Sequence, residues 1–283
     1  VGSEMCIRDR VFASSMYGFV IGSASQFFVS RYLGVEDFAL FANGYRELPL
    51  AGMIIGAAAG VLLPEFSRMS GEGADGGQFV RLWQAAVLKS SAIIYPLSVF
   101  CCVFAPEIIC LLYGEGYREA AGLFRIVTVV NLARIMPYAP VLFALGRGKA
   151  FARAHLVTAL LIVGLDLLCV IAFPSLWAIA AIATGCTLFC LFLLMTTTAR
   201  VLGTSLAGLM PWRMLTTVLL VSAAACTAAR LAVLLTGMTH RLAVVSVGFA
   251  VYLSLYLPFA QRAGIRYMEL FGPVLAKLRP NRT

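Results

Sequence analysis

AHLVTALLIVGLDLLCVIAF, residues 154–173, and LWAIAAIATGCTLFCLFLLMTT, residues 176–197, decide the fold. Each is as long as the roughly 20 apolar residues that carry a helix across the hydrocarbon core of a bilayer. Neither alternates polar and apolar residues, as barrel strands of about ten residues would. Working outward, similar runs lie at 12–33, 47–66, 84–104, 120–144, 214–236 and 242–260. The expectation is an all-α polytopic membrane protein with eight transmembrane helices.

The rest of the composition agrees. Of 283 residues, 61% are hydrophobic and 12% charged, and the mean hydropathy is +0.92. Soluble domains are about half apolar and about a quarter charged, so this chain cannot clothe a soluble fold in polar side chains. Residues 1–10, Val-Gly-Ser-Glu-Met-Cys-Ile-Arg-Asp-Arg, resemble a translated sequencing adapter and are set apart as non-native. On that reading the natural chain starts near Val11 and its own N-terminus is missing.

Loop charges orient the spans. With both ends on one side, that side carries thirteen basic residues, Arg68, Arg81, Lys89, Arg147, Lys149, Arg153, Arg200, Arg213 and five in the tail. The other side carries four, Arg31, Arg46, Arg118 and Arg241. The C-terminus is therefore expected in the cytoplasm. Topology accounts for the net charge of +9, and no nucleic-acid partner is needed to explain it. The tail, residues 262–283, reads as a basic amphipathic segment on anionic membrane lipids or as a plain disordered end.

Several motifs lose their sharp meaning in this setting. Gly71-Glu-Gly73-Ala-Asp-Gly76 has dinucleotide-fingerprint spacing, but lies between two spans without a strand before it. Gly146-Arg-Gly148-Lys149-Ala150 lacks the upstream glycine and the hydroxyl of a phosphate loop. Cys101, Cys102, Cys110, Cys169, Cys186, Cys190 and Cys226 lie in or beside apolar spans and read as buried small hydrophobes. Cys186 and Cys190 share a helix face, yet neither His155 nor His240 is near them in sequence to complete a zinc site. No metal or other cofactor is expected. Gly52, Gly56 and Gly60 lie on one face, expected to pack against a neighbouring helix of the same chain.

Ionisable residues inside spans are costly unless they face a partner or a wet cavity. Asp166, Arg134, Arg125 and Arg230 qualify. At about 100° per residue, Asn131, Arg134 and Tyr138 share one sector of the fourth span, and Arg125 points away. Those three either line a polar cavity, where the guanidinium grips phosphate oxygens in a bidentate way, or Arg134 pairs structurally with Asp166. Pro137 and Pro140 interrupt the same helix. Ser23, Gln26 and Ser30 form a polar stripe on the first span, lining the cavity or merely packing. Arg46 and Glu47, at the mouth of the second span, are gate residues or headgroup contacts. Asp166 is the candidate for ion coupling.

Ser30-Arg-Tyr-Leu-Gly34, Arg46-Glu-Leu-Pro-Leu50 and Leu63-Pro-Glu-Phe-Ser67 resemble the start of the second lobe in lipid-linked oligosaccharide flippases. That family belongs to the superfamily of multidrug, oligosaccharidyl-lipid and polysaccharide exporters. The resemblance continues through Phe104-Ala-Pro-Glu-Ile-Ile109, Leu112-Tyr-Gly-Glu-Gly-Tyr117, Ala144-Leu-Gly-Arg-Gly-Lys149 and Leu176-Trp-Ala-Ile-Ala-Ala-Ile-Ala-Thr184, covering about residues 12 to 260. It implies a C-terminal six-helix lobe over residues 11–200, two additional helices over 201–261, and a missing N-terminal lobe. It also implies a monomer in the bacterial inner membrane that moves undecaprenyl-pyrophosphate-linked glycan by alternating access, for O-antigen, capsule or exopolysaccharide.

The lipid II flippase of peptidoglycan synthesis is the close relative. In that group an arginine follows an aspartate shortly before the Leu-Pro pair, whereas here Asn43-Gly44 stands there and Arg46 is displaced. Two further alternatives are a drug or cation exporter of the superfamily, which would use a carboxylate such as Asp166, and a membrane glycosyltransferase or ligase. The enzyme would need clustered acids on a sizeable loop, for which Glu107, Glu115 and Glu119 are the only group; no enzymatic activity is expected.

Overall fold

The computed structural model describes residues 2–263, with side chains from residue 12 onward. The tail beyond residue 263, read above as amphipathic, lies outside the described residues. The helices are α1 (Gly2–Tyr32), α2 (Val35–Gly44), α3 (Pro49–Gly71), α4 (Gly76–Val103), α5 (Ala105–Tyr113), α6 (Ala120–Thr128), α7 (Val130–Ala133), α8 (Tyr138–Ala144), α9 (Gly148–Ala172), α10 (Leu176–Val201), α11 (Leu206–Leu209), α12 (Trp212–Leu235) and α13 (Arg241–Arg262). There is no strand among the described residues.

Among the described residues, seven stretches are long and apolar enough to cross a membrane: α3, α4, Ala120–Ala144, α9, α10, α12 and α13. The chain is thus a multi-pass membrane protein. The eighth expected span, α1, is not among the seven; Ser14, Ser15, Ser23, Ser25, Gln26 and Ser30 dilute its apolar character. The short helices α2, α5 and α11 between spans were not expected from apolar runs. Gly34 precedes α2 at φ 106°, a value open to glycine and strained for other residues.

The fourth span is not one helix. Pro137 and Pro140 lack the N–H that continues a helical ladder, and between α7 and α8 the chain leaves the helix, with Arg134 at φ −88°, ψ 65°. One carbonyl at the break is recovered: Tyr95 Oη donates to the Leu132 oxygen at 2.8 Å. By contrast α3 runs through Pro64 without stopping.

Packing builds outward from two pairs. α1 lies along α9 and α10 against α9, while α12 packs on α13 and α4. Trp83, Phe66, Phe104, Ile94, Ile162 and Ile179 are among the largest fully buried side chains. Close approaches depend on glycines at particular points. A Cβ on Gly44 would stand 2.6 Å from the Ala120 carbonyl oxygen, and one on Gly122 2.5 Å from the Trp177 ring. Because the obstacle at Gly44 is backbone, it cannot rotate away. Gly44→Ala is expected to cost about 1–3 kcal/mol by overpacking, read as a lower melting temperature in detergent; an unchanged melting temperature contradicts the close packing of α2 on α6.

The expected packing of Gly52, Gly56 and Gly60 within the chain is corrected. Each is exposed, and a Cβ at any of them meets nothing within 4 Å. The face of α3 that carries them points away from the described bundle.

Candidate functional site: a polar cavity entering the bundle

The cavity lies between the middle of α1 and the middle of α10, beside the α2–α3 connection. It has a volume of about 360 Å³ and is lined by Gly18, Gly22 and Ser25 of α1, Tyr45 and Glu47 of the α2–α3 connection, Arg134, and Thr187 of α10. A second pocket of about 230 Å³ shares Gly18, Ile21, Arg134 and Thr187, and adds His155 and Cys190. Arg134 therefore stands where the two meet, released from helical backbone by the break that precedes Pro137.

Three polar contacts join separate elements here. Ser25 Oγ donates to Asp166 Oδ2 at 2.6 Å. Tyr45 Oη and Thr184 Oγ1 share a hydrogen bond of 2.9 Å. Arg134 Nη1 donates to Glu47 Oε2 in an ion pair. Asp166 is 0% exposed, makes no ion pair among the described residues, and its Oδ1 has no hydrogen-bond partner there. A buried carboxylate left half-satisfied is costly to keep ionised. The alternative pairing of Arg134 with Asp166 is not formed.

The sequence-derived grouping separates in space. Arg134 lines the cavity and Asp166 lies buried behind Ser25, but Asn131 is 1% exposed in the core, with Nδ2 unpartnered among the described residues. Tyr138 is buried against Trp83, ring centroids 5.3 Å apart, and lines a different, apolar pocket of about 310 Å³ with Tyr95, Met210 and Trp212. Rotating at a constant angle from 131 to 138 assumed an unbroken helix, and the helix breaks between them.

Ser23 and Ser30 donate to carbonyls of their own helix, Phe19 at 2.6 Å and Phe27 at 3.2 Å. Gln26 is exposed, so this stripe does not line the cavity. The serine that does is Ser25, on the face carrying Gly18 and Gly22. That small-residue spacing was the signal available. Arg46 is exposed, with Nε donating to Ala42 O at 3.1 Å; its neighbour Glu47 is the one that enters the cavity.

The other candidates lie elsewhere. Arg125 Nε donates to Cys102 O at 3.0 Å. Arg230 pairs with Glu107 at 2.7 Å and lies over the Phe104 ring at 5.2 Å. Glu115 pairs with Arg118 and Arg241. Glu107 and Glu115 thereby tie α12 and α13 to the segment around α5. The seven described cysteines are free; all are buried but Cys102, which is half-buried.

Residues 7–122 match the model of a family described as polysaccharide biosynthesis protein. The match runs from within α1 to the start of α6 and takes in the α2–α3 connection with Tyr45 and Glu47. The comparison with curated proteins and the comparison with solved structures found no match.

Proposed function

We propose that this chain, whose residues 7–122 match the model of a polysaccharide biosynthesis protein family, moves a pyrophosphate-linked glycan lipid across the bilayer. One observation carries the reading: a polar cavity with an arginine at its inner junction enters a bundle of otherwise apolar helices. A guanidinium presents a planar fork of donors that matches phosphate oxygens. The glycan would travel in the polar space while the isoprenoid tail stays in lipid, which is why the walls need few charges but well-placed ones.

Asp166 supplies the second part of the proposal. Its unpartnered oxygen, buried behind the cavity-lining Ser25, is the place proposed for a proton or a sodium ion, so that gradient energy is coupled to transport there. The same carboxylate is what favours the second reading, a cation exporter, because buried acids recognise cations as buried arginines recognise anions. Lipid II remains an alternative cargo with the same pyrophosphate chemistry. The loop charges support an orientation with the α2–α3 connection outside and the C-terminus in the cytoplasm, and the resemblance to glycan-lipid flippases supports a bacterial inner membrane.

The test is complementation. In a strain lacking its own lipid-linked glycan flippase, the gene expressed from its genomic context is expected to restore surface polysaccharide. Membrane-inserted protein with no restored polysaccharide, together with export of a cationic dye, would overturn the flippase reading in favour of the exporter.

A further inference from the structure

The segment Tyr45–Leu48, between α2 and α3, has no helical structure and contributes Tyr45 and Glu47 to the cavity wall. Leu48, at its far end, is buried in the core, and two further residues pin the segment. Tyr45 stacks on Phe41, centroids 4.8 Å apart, and its hydroxyl bonds Thr184 at 2.9 Å. Two residues on, Glu47 pairs with Arg134. The Glu47 and Arg134 side chains keep 46% and 31% of their accessible surface, so an ion arriving through the cavity can reach the pair.

We infer that Glu47 is a built-in stand-in for the substrate's anion: its carboxylate occupies the guanidinium that a pyrophosphate must take, and substrate entry releases the strap by displacing it. The inference rests on the reading of Arg134 as the anion site and adds an autoinhibitory contact to it. A pyrophosphate has more charge and more acceptor oxygens than a carboxylate, so it can win a bidentate contact with the same guanidinium. Once displaced, Glu47 no longer holds the middle of Tyr45–Leu48 against Arg134, and the strap is kept by Tyr45 at one end and the buried Leu48 at the other. An empty site therefore stays closed, and an occupied one is freed to open.

Binding of farnesyl pyrophosphate to the purified full chain in detergent tests this. Glu47→Gln removes the competing charge at nearly constant shape and is expected to tighten binding about ten-fold, the equivalent of one strong charged contact. Arg134→Gln is expected to abolish it, alone or combined with Glu47→Gln. Unchanged or weaker binding in Glu47→Gln, with loss in Arg134→Gln, overturns the stand-in but leaves the anion site standing. Unchanged binding in Arg134→Gln overturns the anion site itself. Tyr45→Phe gives an independent reading should Glu47→Gln fail to fold: losing one tether is expected to tighten binding about three-fold, and no change contradicts a strap.

Discussion

Arg134→Ala is expected to abolish restoration of surface polysaccharide, with transport falling by about a hundred-fold or more, as happens when a positioned charge that stabilises a transferred group is lost. The fold should survive. Arg134 and Glu47 are both partly exposed, and a pair of that kind contributes about 1 kcal/mol or less to stability. Leaving Glu47 alone is therefore cheap for the fold and ruinous for anion binding. Arg134→Lys separates charge from geometry: lysine keeps the positive charge but not the fork, so partial transport is expected. Full transport by the alanine variant, measured as normal surface glycan, would show that Arg134 serves only the ion pair.

Asp166→Asn is expected to do the opposite to stability and function. The carboxylate is fully buried, with one oxygen bonded to Ser25 and the other unpartnered among the described residues. An amide keeps an oxygen to accept from Ser25 and removes a charge whose burial costs several kcal/mol on insertion scales. The melting temperature should hold or rise, while transport loses its dependence on an imposed proton or sodium gradient. Full gradient-driven transport in the variant would remove Asp166 from coupling. A melting temperature several degrees lower would make it a structural residue.

Those two residues were legible from sequence because each is a charge inside an apolar run. What they touch was not. Ser25 and Asp166 are 141 positions apart, and Arg134 and Glu47 87, so neither contact lies within one helix's periodicity. The spans were legible for the same reason as the charges: seven apolar stretches lie where the runs place them. α2, α5 and α11 were not, being shorter than any membrane-length run.

The fourth span taught the sharpest lesson. Pro137 and Pro140 announced an interruption, but projecting Asn131, Arg134 and Tyr138 onto one face ignored what it does. The break sends Tyr138 to an apolar pocket, keeps Asn131 in the core and frees Arg134 for the cavity. Likewise the open glycine face of α3 shows that spacing identifies a smooth surface without saying what covers it.

Site-specific photo-crosslinking in living cells tests the central claim most directly. A photoreactive amino acid at Ile21 or Thr187, both on the cavity wall, is expected to capture pyrophosphate-linked glycan lipid. The capture should vanish when Arg134→Ala is added. Position Leu160, 68% exposed on the outside of α9, should capture ordinary phospholipid instead. Glycan lipid caught at Leu160 as readily as at Ile21 and Thr187, or caught at all three without regard to Arg134, would contradict a path through the cavity.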